Sequence, residues 1–218
     1  MIAHPHLKGY YRQETIARIG KDASGNGNTL TNYGATIIDG VYGNGANYHL
    51  NDYQDGGNIH NMGTSEMTVN FWINPTSIPS GVIGIIGKTW YAGGERWGIY
   101  YNTSIIGVLT SSGALSTIST SYTPLGEWTY MSVVWDRSGT YIKILIYINT
   151  VLISTTTLIY LSTLDITDNS IPFQIGSYPD YGGAANRFLD SYLDEITIWD
   201  KAYDIPNLKR IKYNMNPL

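Results

Sequence analysis

The chain has 218 residues, 43% of them hydrophobic, and a net charge of −4 with its 13 Lys and Arg scattered along its length. That size and apolar content suit one large core, and the lack of a continuous positive field excludes nucleic acid as a partner. Zero Cys excludes disulfides, thiolate zinc sites and cysteine catalysis, and no run nears the roughly 20 apolar residues of a membrane span, so no membrane insertion is expected. The opening residues MIAHPHLKGYYRQ lack the apolar run of a signal peptide. The aromatic share of 13%, with 19 Tyr and 6 Trp, exceeds what a core alone demands and puts some rings on the surface.

Residues 1–8 read as an N-terminal arm, and 9–218 as one domain. Short β-rich runs bounded by Gly, Asn, Asp, Ser or Pro follow, predicting strands near 9–13, 46–50, 67–74, 82–87, 97–102, 105–109, 114–120, 127–136, 141–149, 151–158, 172–176 and 188–199. The run WTYMSVVWD alternates around Met131, Val133 and Trp135, and a tight turn at Asn149-Thr150 predicts a central hairpin. So many strands of this length favour an all-β fold: two stacked antiparallel sheets, a jelly-roll sandwich. One short C-terminal helix is expected, with Asp204 as cap, Pro206 in the first turn, and Leu208 and Ile211 facing inward.

The last strand, FLDSYLDEITIWD, carries the first chemical signal. Strict alternation puts Asp194 on one face with Ile196 and Ile198, and Glu195 on the other with Leu193 and Thr197. A carboxylate buried beside that Ile face costs several kcal/mol unless a cation or several donors meet it.

The landmarks resemble the LamG-like (laminin G-like) branch of the concanavalin A-like lectin/glucanase superfamily. They are Gly9-Tyr10-Tyr11-Arg12, the loop Asp22-Ala23-Ser24-Gly25-Asn26-Gly27-Asn28, Gly40 to Ala46, Val69 to Pro75, Ile85 to Lys88, Gly126 to Tyr130, Val133 to Asp136, Leu145 to Asn149 and Leu193 to Asp200. Their order and spacing cover nearly all of residues 9–212. The resemblance implies a jelly roll whose first and last strands lie together, bringing the Asp22 loop near Asp194. Calcium takes six to eight oxygen ligands, so Asp22, Asn26, Asn28 and Asp194 are the expected ligands of a structural calcium. The alternative is that Asp22 starts a turn, Asn and Gly supply positive φ, and Asp194 accepts backbone hydrogen bonds. His4, His6, His49 and His60 form no transition-metal cluster in the sequence.

Glucanases of that superfamily need carboxylates alternating along one strand as Glu-x-Asp-x-Glu, and no such string occurs here. The chain is therefore read as no enzyme. Two loops instead mix aromatic, planar polar and Gly residues, as sugar sites do. One offers Trp90, Tyr91, Glu95 and Arg96, with Trp97 as a core residue or a contact; the other offers Tyr178, Asp180, Tyr181, Asn186 and Arg187. The expected function is a non-catalytic, lectin-like carbohydrate-binding or adhesion module. A decoration protein of an extracellular or virion surface assembly, binding a surface protein and working as a homo-oligomer or within a larger assembly, is the competing reading.

Overall fold

Why the strands hold is clearest in the central pair. In Met67–Pro75 (β6), Met67, Val69, Phe71 and Ile73 enter the core; in Thr129–Asp136 (β11), Met131, Val133 and Trp135 do, as period 2 requires. The two strands pair antiparallel from Thr129 opposite Ile73 to Trp135 opposite Met67. In the computed structural model, which describes residues 4–88, 95–103, 105–112, 115–121, 125–167, 170–177 and 187–213, they sit at the middle of one of two sheets.

The remaining elements in chain order are Leu7–Tyr11 (β1), a 3₁₀ turn at Ile16–Arg18, Thr31–Tyr33 (β2), Thr36–Asp39 (β3), Asn44–Tyr48 (β4), Tyr53–Asp55 (β5), Ile83–Lys88 (β7), Glu95–Asn102 (β8), Ile105–Ser112 (β9), Leu115–Ser121 (β10), Tyr141–Ile148 (β12), Val151–Leu161 (β13), Gln174–Ile175 (β14), Ser191–Trp199 (β15) and the helix Ile205–Lys212 (α1). One sheet runs β13-β12-β11-β6-β15-β4-β3 with β1 added on β15; the other runs β10-β9-β8-β7-β14-β5-β2. All described pairings are antiparallel, the jelly-roll arrangement expected from the strand spacing.

Between the sheets lies one apolar core that includes Phe71, Trp97, Trp135, Ile144, Ile196 and Ile198. A second cluster covers the outer face of the β6/β11/β15 sheet, where Leu208 and Ile211 of α1 meet Leu7, Tyr10, Val134, Tyr147, Trp199 and Tyr203. The helix starts as the sequence implies: Asp204 accepts the Asn207 N–H at 3.2 Å, and Pro206 stands in the first turn. With both faces covered, all nine residues of β6 are buried.

Three expectations change. Residues 4–8 are no free arm: the His6 carbonyl accepts the Asp200 N–H at 3.0 Å, its ring meets Asp200 at 2.8 Å, and Leu7 already pairs with Trp199. The hairpin at Asn149-Thr150 closes the edge of its sheet and not the centre, because β11, β6 and β15 take the middle positions. Short strands β2, β3 and β5 add to the predicted set; three or four residues give too little periodicity to stand out.

The hairpin turn places Asn149 at φ 50° and Thr150 at φ 67°. Two left-handed residues make the turn that matches strand twist, but a β-branched side chain is strained there. Thr150→Gly is expected to raise unfolding free energy by about 0.5 kcal/mol. A urea midpoint that falls instead shows that Thr150 packing outweighs the strain.

Candidate functional site

Asp194 and Glu195 lie where β15 changes neighbours. Ser191–Leu193 pair with Ala46–Tyr48 of β4, while Ile196–Trp199 pair with β1. Against β6, Asp194 stands opposite Trp72 and Thr197 opposite Asn70, so three steps on one strand match two on the other. That is a β-bulge, with Glu195 at φ 50°. The extra residue resets the alternation: Leu193, Ile196 and Ile198 all face the core, and Asp194 does not share their face.

The buried Asp194 is met by backbone amides. Oδ2 accepts from the N–H groups of Val41 (2.8 Å) and Tyr42 (3.1 Å), and Oδ1 from that of Glu195 (2.7 Å). Burial pushes its carboxyl up to about 7, with the amide donors pulling the other way. Gly40 fits only as glycine, since a Cβ there would stand 2.6 Å from Asp194 Oδ2. Glu195 accepts the Tyr10 hydroxyl and faces the Arg12 Nε at 3.5 Å.

Asp22 lies on the far side of β1, where it is met by a different set of donors. Oδ1 accepts the Tyr10 and Ser24 N–H groups at 3.1 and 2.8 Å; Oδ2 accepts the Ser24 hydroxyl and the Asn28 N–H at 2.8 and 2.9 Å. The Asn26 and Asn28 amides donate to the Leu7 and Lys8 carbonyls at 2.6 and 2.7 Å. The loop is thus a hydrogen-bonded clasp on β1. Asp22 and Asp194 share no partner among the described contacts, and no three His, Asp or Glu of the described residues converge as a metal group. This donor set does not fit the calcium expected from Asp22, Asn26, Asn28 and Asp194: N–H and O–H groups point at the oxygens a cation would need.

His60 completes the clasp. The Tyr11 hydroxyl lies 2.8 Å from both the Asn28 carbonyl and His60 Nε2. One hydroxyl proton serves one acceptor, so donation to Asn28 requires His60 to carry its proton on Nε2. Burial drops the imidazole pKa to about 3.

The sugar-type residues fare differently. Trp90, Tyr91, Tyr178, Asp180, Tyr181 and Asn186 lie outside the described residues. Glu95 and Arg96 are no loop residues; they open β8, paired with Ser112 and Ser111. Trp97 is core, fully buried, with its indole N–H on the His60 carbonyl at 3.2 Å. Arg187, at φ 51°, lines a groove of about 320 Å³ with Leu50, Ser77, Ser80, Phe188 and Asp190.

That groove sits at one end of the sandwich, and hydrogen bonds tie its frame together. Gly176, at φ 83°, accepts the Leu189 N–H at 2.8 Å, and Leu189 is fully buried. Asp190 ties three segments: it meets His49 Nδ1 at 3.0 Å, accepts the Ser77 hydroxyl at 2.9 Å and takes the Thr76 hydroxyl on its carbonyl at 2.9 Å. Burial alone would raise its carboxyl, but the His49 and Ser77 bonds hold it below the usual value. From the groove an aromatic ladder runs outward: Phe188 lies 5.9 Å from Tyr53, and Tyr53 stacks on Tyr33 at 4.6 Å and 8°. Tyr33 is 47% exposed. Tyr33, Tyr53 and Phe188 are not among the binding residues the sequence offers, and His49 is weighed there only as a metal ligand. The available signal was an aromatic set among planar polar residues and glycines, in Asn32-Tyr33-Gly34 and Asp52-Tyr53-Gln54-Asp55-Gly56.

A two-sheet antiparallel jelly roll whose end loops build a polar, aromatic-edged groove belongs to the concanavalin A-like class. Residues 44–205 match the Laminin_G_3 family of the concanavalin A-like lectin/glucanases superfamily, and the chain belongs to that family. No curated protein sequence is significantly similar to it. Among solved structures, it is similar to the binding domain of Paraclostridial Mosquitocidal Protein 1 (TM-score 0.73, 19% identity, 94% of this chain and 51% of that one). The botulinum neurotoxin type C structure, whose cell entry depends on interaction with two ganglioside molecules, superposes with a TM-score of 0.70 at 16% identity, covering 96% and 51%. Domain 4 of AbnA, a GH43 extracellular arabinanase from Geobacillus stearothermophilus in complex with arabinotriose, gives 0.63 at 16%, covering 94% and 98%. The chain spans about half the length of the toxin chains and nearly all of the arabinanase domain. At these identities the likeness is one of fold.

Two outcomes follow from the clasp. Asp22→Ala lowers stability by about 2–4 kcal/mol, while EDTA or added calcium leaves the melting midpoint of the wild type unchanged; a chelator-induced drop that calcium reverses sinks the hydrogen-bonded clasp. For His60 the folded pKa lies below the unfolded 6.5, so its contribution is full above pH 6.5 and lost as pH falls toward 3. His60→Gln should therefore flatten the decline of unfolding free energy between pH 6.5 and 4 by about 1 kcal/mol per pH unit. Asp194 acts in the opposite sense in both proteins and cancels in the comparison; parallel urea curves refute the assignment.

Proposed function

We propose that this chain is a non-catalytic glycan-binding module that works through the groove at its loop end. The observation that carries this reading is the ladder Tyr33–Tyr53–Phe188, running from an exposed ring into a groove rimmed by Arg187 and Asp190. Aromatic faces cover the C–H surface of a sugar ring, and planar polar groups take its hydroxyls. The sequence-predicted residues Tyr178, Asp180, Tyr181 and Asn186 belong to the segment between Ser177 and Arg187, whose second flank lines the groove.

Support for a binding role also comes from how the carboxylates are used. Asp194 and Glu195 are engaged by backbone and side-chain donors inside the fold, and Asp190 is held by His49 and Ser77. No two of these three stand free as an acid and a base across an open cleft, the arrangement hydrolysis needs. The similar structures add weight: one holds arabinotriose, and another belongs to a toxin that interacts with gangliosides. An extracellular site of action suits the same relatives, and no helix among the described residues is long and apolar enough to cross a membrane.

A protein ligand at the same end is the second reading, favoured by Leu50 and Ile78, which are 69% and 46% exposed beside the groove. A panel of immobilised oligosaccharides, including arabino-oligosaccharides and sialylated glycans, separates the two. Binding to at least one glycan, weakened about tenfold by Phe188→Ala or Tyr33→Ala at unchanged melting midpoint, is expected. Absence of any glycan binding, or full binding by both variants, overturns the sugar reading.

A further inference from the structure

A second groove lies toward the opposite end of the same sheet, where Trp135 pairs with Met67 and Asp136 ends β11. It has a volume of about 340 Å³ and runs between the approach to α1 and the outer face of β11 and β12. Its walls are apolar and aromatic: Val134, Leu145, Tyr147 and Tyr203. Tyr147 and Tyr203 are 6% and 3% exposed, so their rings are fixed surfaces.

Three carboxylates from three segments border it: Glu66 before β6, Asp136 at the end of β11 and Asp204 at the start of α1. Each has one oxygen engaged. Glu66 Oε2 accepts the Ala202 N–H at 3.3 Å, Asp136 Oδ1 accepts the Ser138 N–H and hydroxyl at 2.9 and 2.6 Å, and Asp204 Oδ1 caps the helix through Asn207 at 3.2 and 2.7 Å. Glu66 Oε1 and Asp204 Oδ2 have no partner among the described contacts, and Asp136 Oδ2 faces only the half-exposed Lys143 ammonium, at 4.0 Å. The Tyr203 hydroxyl, in the same lining, is buried without a hydrogen-bond partner among the described residues. The field of these acids is felt inside the groove: burial, then Asp204 and Asp136, push the Tyr147 phenol up.

We propose that this groove takes an arginine side chain of a protein partner, its guanidinium packed against the exposed edge of the apolar and aromatic wall and hydrogen-bonded to the free oxygens of Glu66 and Asp204, with Asp136 adding negative charge beside its Lys143 contact. The carboxylates do not converge into a metal group, so a bare cation cannot bridge them. A planar guanidinium, with five N–H donors spread in a fork, reaches oxygens that lie apart and rests its weakly hydrated plane against an apolar wall at the same time. The unpartnered Tyr203 hydroxyl supplies one more acceptor. An ammonium, a compact charge on a flexible stem, matches neither the spread of acceptors nor the ring surface. A chain of net charge −4 also attracts a basic partner at long range.

Calorimetric titration of the whole chain with blocked tetra-arginine, blocked tetra-lysine and spermidine at low salt tests this. Tetra-arginine should bind more tightly than either other probe. The double variant Glu66→Gln, Asp136→Asn should weaken it about tenfold or more, and Tyr203→Phe about threefold, each with an unchanged circular dichroism spectrum. A control that removes the same charge elsewhere, Asp39→Asn with Glu127→Gln, should leave binding intact. Equal weakening by the control, equal affinity for tetra-lysine or spermidine, or no binding of tetra-arginine overturns the proposal. None of these variants touches the loop-end groove, so the outcome is independent of the glycan reading.

Discussion

The bulge at Asp194–Glu195 is the constraint on which the rest of the sandwich depends. Strand β15 has β6 along one edge, but along the other it must pair first with β4 and then with β1. Two neighbours cannot occupy one edge without a seam, and a seam leaves backbone groups to satisfy. The two carboxylates close the seam in opposite directions, Asp194 through backbone amides and Glu195 through a side-chain hydroxyl. Asp194 takes the amides of the β3–β4 turn, and Glu195 takes the Tyr10 hydroxyl of β1. The left-handed backbone of Glu195 lets adjacent acids point to separate neighbours while Ile196 and Ile198 remain in the core. Asp22 then fixes β1 from its outer side through the Tyr10 amide, so the chain's first strand is held at both edges by carboxylates.

The architecture could be read from residues such as Met131, Val133 and Trp135, since strand alternation is a local property and survives in any tertiary context that buries one face. The helix was legible for the same reason: cap, proline and two inward residues lie within eight positions. The bulge was not. A left-handed residue in mid-strand is signalled in sequence by glycine or asparagine, and here it is a glutamate whose side chain is held by Tyr10, 185 positions away, beside an aspartate held by Val41, 153 positions away. Strict alternation therefore placed Asp194 on the wrong face, and a buried acid without a visible partner resembled a metal ligand. Backbone amides carry no letter in a sequence. The ladder at the loop end escaped notice for a related reason, because Tyr33, Tyr53 and Phe188 stack only after β2, β5 and the approach to β15 have been folded together.

Rigidity at the loop end derives from that same strand. Ser191–Leu193 are clamped between β4 and β6, so Phe188 and Asp190, just upstream, start from a fixed point. Asp190 extends the restraint to the His49 and Ser77 segments, and the buried Leu189 anchors the backbone between the two groove residues. Residues tied in this way lose little further conformational entropy on meeting a ligand, which under the glycan reading favours affinity from a small contact area.

The two grooves differ in what the fold leaves over. At the loop end the carboxylate is occupied on both oxygens' side of the site by His49 and Ser77, and the free surface is aromatic; that surface suits a neutral ring with hydroxyls. By α1 the rings are buried as walls, and Glu66 and Asp204 keep one oxygen each; under the arginine proposal that surface suits a cation with many donors. The same residue types, Asp and Tyr, thus yield opposite ligand preferences. What decides is which atoms the backbone and the caps have already engaged, and at Asp194 and Asp22 they have engaged everything. Polar atoms that folding consumes are lost to ligands, which is why the two most deeply placed acids, Asp194 and Asp22, hold the frame, while Glu66 and Asp204 at the rim each keep an oxygen open.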